Sequence, residues 1–123
     1  MKKVLIVEDE KDITKILTAR LEQNGFEVIS APDGINAVRE VHEKKPDLVI
    51  LDIMLPGGGI NALKNIRSSE RVKNTPVVVL TGMQDNAKKS EIDQIGVQGY
   101  VTKPYEFPAL LAVINNILEP HAK

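Results

Sequence analysis

The chain has no cysteine and no tryptophan, and only two phenylalanines and two tyrosines among its 123 residues. Without a thiol there is no disulfide, no thiolate zinc site and no cysteine nucleophile. No charge of one sign dominates. Sixteen Lys and Arg face seventeen Asp and Glu, for a formal net charge of −1. A broad basic field for direct nucleic-acid binding is therefore missing. No apolar run approaches the roughly 20 residues of a membrane span. The opening MKKVLIVEDE begins with lysines and apolar residues, then meets Glu8, Asp9 and Glu10 too early for a signal peptide. These absences fit a cytoplasmic protein that neither crosses a membrane nor binds nucleic acid directly. There is also no GKS/T and no GxGxxG, which removes the two common nucleotide-binding loops.

What is present is ordinary for a folded domain: 42% hydrophobic and 27% charged residues. A chain of this length is expected to form one domain over residues 1–123, burying roughly two-thirds of its unfolded surface. Short runs rich in Val, Ile and Leu stand at VLIV (4–7), LVIL (48–51) and VVVL (77–80), with a weaker YV at 100–101. Their length and β-branched content suit strands buried on both faces. FEVIS (26–30) mixes polar and apolar residues and reads as an edge strand, after the helix-stop signal Asn24-Gly25.

Between these runs the apolar period becomes helical. Ile13, Ile16, Leu17 and Leu21 form one stripe; Ala37, Val38 and Val41 a second; Ile60, Leu63 and Ile66 a third. Ile92 and Ile95 are a thinner version. The last stripe is the strongest, with Phe107, Leu110, Leu111, Ile114, Ile117 and Leu118. Ala109, Ala112 and Val113 add more apolar surface than one face needs, so a homodimer or partner contact through this helix is expected. Strand and helix thus alternate five times, from about residue 3 to about residue 119. That alternation implies an α/β fold: a parallel sheet with helices on both faces and right-handed crossovers. No second domain or output segment is therefore expected within these residues.

In such sheets the functional crevice lies beyond the carboxyl ends of the strands. The sequence puts Glu8, Asp9 and Glu10 after the first strand, Asp52 after the third, Thr81 after the fourth and Lys103 after the fifth. Carboxylates this close repel by on the order of 4 kcal/mol per pair at 4 Å and an effective dielectric near 20. Either a proton or a cation must relieve them, and hard carboxylate oxygens suit Mg²⁺. A divalent ion, a lysine and a hydroxyl around one carboxylate make a phosphoryl site. Asp52 is then a nucleophile presented at a strand end.

VLIVEDE, LVILDIMLP, VVLTG and YVTKP together resemble the motifs of the response-regulator receiver domain of two-component signalling, the CheY-like superfamily. The resemblance runs along essentially the whole chain. It implies a flavodoxin-like, five-stranded parallel sheet in the order 2-1-3-4-5. It also implies that a histidine kinase or histidine phosphotransfer protein passes a phosphoryl group to Asp52. Asp9 and Asp52 would bind Mg²⁺ directly (Mn²⁺ as a substitute), Glu8 through a water, and the Met54 backbone carbonyl would supply a further ligand. Thr81 and Lys103 would engage phosphoryl oxygens. Tyr100 matches the aromatic switch position, and the Lys103–Pro104 bond is expected to be cis. The target would be a downstream protein or an output domain of a longer regulator. Met54 and Met83 stand where fast-dephosphorylating receivers often carry a side chain that holds water, so a long phosphoryl lifetime follows. PGGGI (56–60) is one residue shorter than the family's usual loop.

Other readings exist for single features. The acids after the first strand could be an ordinary helix start, Thr81 a helix N-cap and Lys103 a solvated lysine. Gly57–Gly59 could form an anion nest; they are better explained as freeing the backbone beside the metal. His42 and His121 lack partner clusters and are expected at the solvated surface. A flavin or nucleotide binder on the same sheet is disfavoured by four aromatics and an acidic crevice. A Mg²⁺-dependent phosphohydrolase would want an aspartate two residues after the nucleophile, where this chain has Met54.

Overall fold

A computed structural model, describing residues 1–55, 58–82 and 86–119, has strand and helix alternating five times. The elements are β1 (Lys3–Val7), α1 (Lys11–Gln23), β2 (Glu27–Ala31), α2 (Gly34–Lys44), β3 (Leu48–Asp52), α3 (Gly59–Ser68), β4 (Val77–Thr81), α4 (Asn86–Ile95), β5 (Gly99–Thr102) and α5 (Phe107–Leu118). The strands form one parallel sheet in the order β2-β1-β3-β4-β5. The expected doubly wound fold is the one observed.

The period-two geometry of a strand sorts the apolar residues into two cores. Leu5, Val7, Val49, Leu51, Val77 and Val79 face one side and pack with Ala37 and Val41 of α2, Leu63 and Ile66 of α3 and Ile92 of α4. Val4, Ile6, Leu48, Ile50, Val78 and Leu80 face the other and meet Leu17 and Leu21 of α1 and Leu110 and Ile114 of α5. Helices on both faces are why β3 and β4 are buried at every position. β2, at the sheet edge, is only partly covered.

Local details depart modestly from the sequence reading. β2 begins at Glu27 rather than Phe26. Phe26 instead turns into the α1–α5 core, its N–H donating to the Leu21 carbonyl at the end of α1. Gly25 supplies the positive φ of +89° that this exit requires. Ile16, counted in the α1 stripe, is 61% exposed beside a groove that α1 makes with the start of α5. In α5, Ala109 and Ala112 are exposed, so its apolar excess does reach solvent. His42 departs further. It is half-buried, with Nε2 3.0 Å from Ser69 Oγ, rather than solvated. The reason is the tight packing of α2 on α3, where a Cβ on Gly34 would come within 3.2 Å of the Ala62 Cβ. His121 and Gly57 lie outside the described residues.

The end of the sheet away from the strand carboxyl termini is tied together by Arg67, in the last turn of α3. Its Nε donates to the Gly96 carbonyl at 3.0 Å, and Nη1 to the carbonyls of Lys73 (3.0 Å) and Thr75 (2.7 Å). Nη2 donates to Gln98 Oε1 at 2.9 Å, and that oxygen also accepts from the Val77 N–H at 2.8 Å. One planar guanidinium thus joins the α3–β4 and α4–β5 connections. Arg67→Met should lower stability by about 1–3 kcal/mol, because several partly buried acceptors lose their donor together. Arg67→Lys should recover only part, since an ammonium lacks the fork. Urea unfolding would measure both, and an Arg67→Met midpoint equal to wild type would remove the claim.

Candidate functional site

The register brings the chemistry-bearing residues to one end of the sheet. Val7 lies opposite Leu51, so the next residues, Glu8 and Asp52, leave adjacent strands side by side. Thr81 lies opposite Thr102 at the ends of β4 and β5, and the Lys103 N–H donates to the Thr81 carbonyl at 2.7 Å. Five of the expected residues, Glu8, Asp9, Asp52, Thr81 and Lys103, therefore share one crevice. Glu8, Asp52 and Thr81 are each 5% exposed or less; among the described residues they are the only buried polar side chains.

Asp52 is held at both oxygens. Lys103 Nζ donates to Oδ2 at 2.6 Å, and the Met54 N–H donates to Oδ1 at 2.9 Å. Burial alone would raise the Asp52 pKa, but the Lys103 ammonium and the Met54 N–H outweigh it and hold the carboxyl below its ordinary range. The same contact answers burial at Lys103, whose pKa is raised. Asp52 is therefore an ionised, oriented carboxylate at neutral pH.

Glu8 is the opposite case. Burial, with Asp52 beside it, pushes its carboxyl up to about 7, against the Glu10 N–H that donates to Oε2 at 3.0 Å. Its other oxygen, Oε1, is buried and has no hydrogen-bond donor among the described residues. Two things can satisfy it: a proton shared with Asp52, or a cation. One oxygen each from Glu8, Asp9 and Asp52 lie within 4.8 Å of one another. Asp9, unlike the other two, is exposed and keeps this cluster open to water. The donor set is all oxygen, carries more negative charge than Lys103 offsets, and fits a hard divalent ion.

The loop after Asp52 explains two of its glycines. Gly58 has φ +87°, a conformation that side chains disfavour. A Cβ on Gly59 would stand 2.7 Å from the Ile53 Cα and 2.8 Å from the Asp52 carbonyl oxygen. The start of α3 can thus approach the end of β3 only with glycine there. Met54 is 54% exposed at the rim. The Lys103–Pro104 peptide is cis. Tyr100 is half-buried on β5, against the core shared by α2, α3 and α4. Met83 lies outside the described residues. Sequence reading passed over Tyr105, two residues after Lys103. Burial chiefly raises its pKa, with smaller contributions from Glu8 and Asp52, so it is a neutral phenol close to the acids. The signal was available: an aromatic just past the strand-end lysine.

Comparison with known proteins places this geometry. The chain is 36% identical over 118 residues to the phosphate regulon transcriptional regulatory protein PhoB of Escherichia coli, an alignment covering 95% of this chain and 52% of PhoB. It spans about half the length of that relative. Among solved structures it resembles Vibrio cholerae chemotaxis protein CheY4, with a TM-score of 0.89 and 31% identity over 96% of this chain and 99% of that one. It also resembles the receiver domain of the Pseudomonas aeruginosa sensor histidine kinase PA1611, with a TM-score of 0.85 and 28% identity over 94% and 95% of the two chains. That structure has a magnesium ion coordinated in its active-site cleft. Residues 4–115 match the family described as the response regulator receiver domain, and the chain belongs to that family.

Proposed function

We propose that this chain is a phosphorylation-activated signalling switch that accepts a phosphoryl group on Asp52 from a phosphohistidine of a histidine kinase or histidine phosphotransfer protein. The observation that carries the reading is the ionised Asp52, bound by Lys103 at 2.6 Å where three carboxylates converge. An Asp52 oxygen forms the new P–O bond as the donor's P–N bond breaks, and the electron pair leaves on the imidazole nitrogen. Lys103 moves from the carboxylate to a phosphoryl oxygen, and the Thr81 hydroxyl donates to another. With Mg²⁺ (or Mn²⁺) held by Asp9, Asp52, the Met54 carbonyl and, through water, Glu8, positive charge offsets the anionic oxygens gathered there. Thr81, drawn to the phosphoryl group, and Tyr100, turning in response, alter the surface of α4, β5 and α5. That surface then controls a partner protein or an output domain, with self-association through α5 as one route. The chain acts as a switch rather than a conventional enzyme, its only chemistry being its own phosphorylation and slow dephosphorylation.

Acetyl phosphate with Mg²⁺ should label the wild type and not Asp52→Asn. Undiminished labelling of the variant would remove the proposal.

Metal and pH are linked through Glu8. Its folded pKa of about 7 lies above the ordinary 4.5, so between these values the folded protein binds more protons than the unfolded chain. Stability from this group is present below about pH 4.5 and is lost as pH rises through 7. Without metal, moving from pH 5 to pH 8 should therefore cost about 2–3 kcal/mol at this site. Added Mg²⁺ should raise the melting temperature more at pH 8 than at pH 5, where the proton competes with it. Glu8→Gln should flatten the metal-free profile, and an unchanged profile would show that Glu8 is not the titrating group.

Phosphoryl lifetime is expected to be long. Water must approach in line, opposite the Asp52 oxygen, and methionines at 54 and 83 can donate no hydrogen bond to hold it. Met54→Asn combined with Met83→Glu should speed decay of the phosphorylated protein by a factor of about 10–100. Equal decay of variant and wild type would show that these residues do not set the lifetime.

A further inference from the structure

Among the described residues, α4 sends only Ile92 fully into the core, with Ile95 half-buried beside it. Its remaining attachments are largely polar. On one flank Glu91 pairs with Lys64 of α3 at 3.0 Å. Just past its end, Gly96 is held by Arg67. Elsewhere on the helix the Lys89 ammonium lies over the Tyr100 ring, 5.1 Å from its centroid. Asp93, one turn later, pairs with the same ammonium at 3.3 Å. Lys89 is thus the side chain that joins α4 to the aromatic of β5 by charge.

We propose that Lys89, steadied by Asp93, is a clasp by which α4 holds the Tyr100 ring where it stands and opposes its departure to another rotamer. An ammonium over an aromatic face is attracted by the ring quadrupole. At exposed sites this is worth a factor of about 2–5 in population. The i,i+4 pair with Asp93 is weaker, nearer a factor of two. Asp93 therefore does not pull the ammonium off the ring. It limits the arc through which a flexible four-carbon stem would otherwise carry it. For Tyr100 to turn, the ring must leave the Lys89 ammonium that lies over it. The consequence for signalling rests on the proposed role of Tyr100 as the switch: the clasp sets the fraction of molecules already turned before any phosphoryl group arrives. The clasp itself requires no phosphorylation.

The test uses the full chain with no phosphodonor. The χ1 populations of Tyr100 are read by NMR from three-bond N–Cγ and C′–Cγ couplings, with Tyr105→Phe assigning the only other tyrosine. Lys89→Gln should raise the minor rotamers of Tyr100 by a factor of about 2–5. Asp93→Asn should raise them less, by about two-fold or under. Lys89→Arg, whose guanidinium also sits well on an aromatic face, should keep the wild-type distribution. Amide shifts in β1, β3 and α1 should stay fixed in all three, which separates a lost clasp from general loosening. Unchanged Tyr100 populations in Lys89→Gln, or an equal rise in Lys89→Arg, would overturn the proposal. Failure of acetyl phosphate to label Asp52 would sink the proposed function and leave the clasp standing.

Discussion

The contact between Asp52 and Lys103 is the constraint on which the rest of the site depends. A carboxylate at the end of a wholly buried strand is tolerable only if a positive charge reaches it. That charge comes from 51 residues away in sequence, across the intervening end of β4. The distance can be closed at 2.6 Å because β3, β4 and β5 are parallel and in register, so their carboxyl ends share one edge. Buried ion pairs often gain little net stability, because desolvating both partners offsets their attraction. The local cost is offset by the two apolar layers that cover β1, β3 and β4, and among the described residues the only buried charged side chains are Glu8 and Asp52.

Glu8 shows the other half of the same problem. Lys103 answers one negative charge, and the crevice holds three carboxylates. The excess appears as a carboxyl that keeps its proton up to about pH 7 and a buried oxygen with no donor among the described residues. These are marks of a site shaped for a species absent from the polypeptide itself. Asp52 and Glu8 are the same chemistry at adjacent strand ends, driven in opposite directions by what stands next to each. Under the proposed function, such divergence between neighbouring acids would let one crevice present a ready nucleophile and a cation-binding ligand together.

Much of this could be read from the sequence because the sheet is regular. Runs of four or five apolar residues fix where strands lie, and the residue that follows each run must emerge at one edge. Asp52, Thr81 and Lys103 were legible on that ground, with no knowledge of their partners. Proximity between side chains on one helix and a distant strand was not. The Arg67 hub joins α3 to two connections that the helical period does not relate. His42 looked solvated because its sequence neighbours are charged, yet α2 packs against α3 closely enough to bring it to Ser69. Gly59 could be suspected of an unusual backbone angle, whereas its actual demand is for space against the β3 backbone. In each case the missing information is which face a helix turns toward its neighbour. Composition and period set that only when the apolar stripe is wide.

The width of that stripe also separates the firmly anchored helices from α4. α1, α3 and α5 each place at least two large apolar side chains in the core, and their burial is spread over full turns. α4 has Ile92, Ile95 and a set of polar contacts, each worth little alone. A change of charge at Asp52 acts at the edge of a rigid sheet that cannot deform without breaking close packing. In the proposed function it would act instead on a lightly anchored element, and α4, with Ile92 its one fully buried apolar side chain among the described residues, is such an element. Its far end is fixed at Gly96 by Arg67. The thinness of the Ile92–Ile95 stripe, a weakness for fold recognition, is under the proposed function what would suit the helix to respond to chemistry at the site.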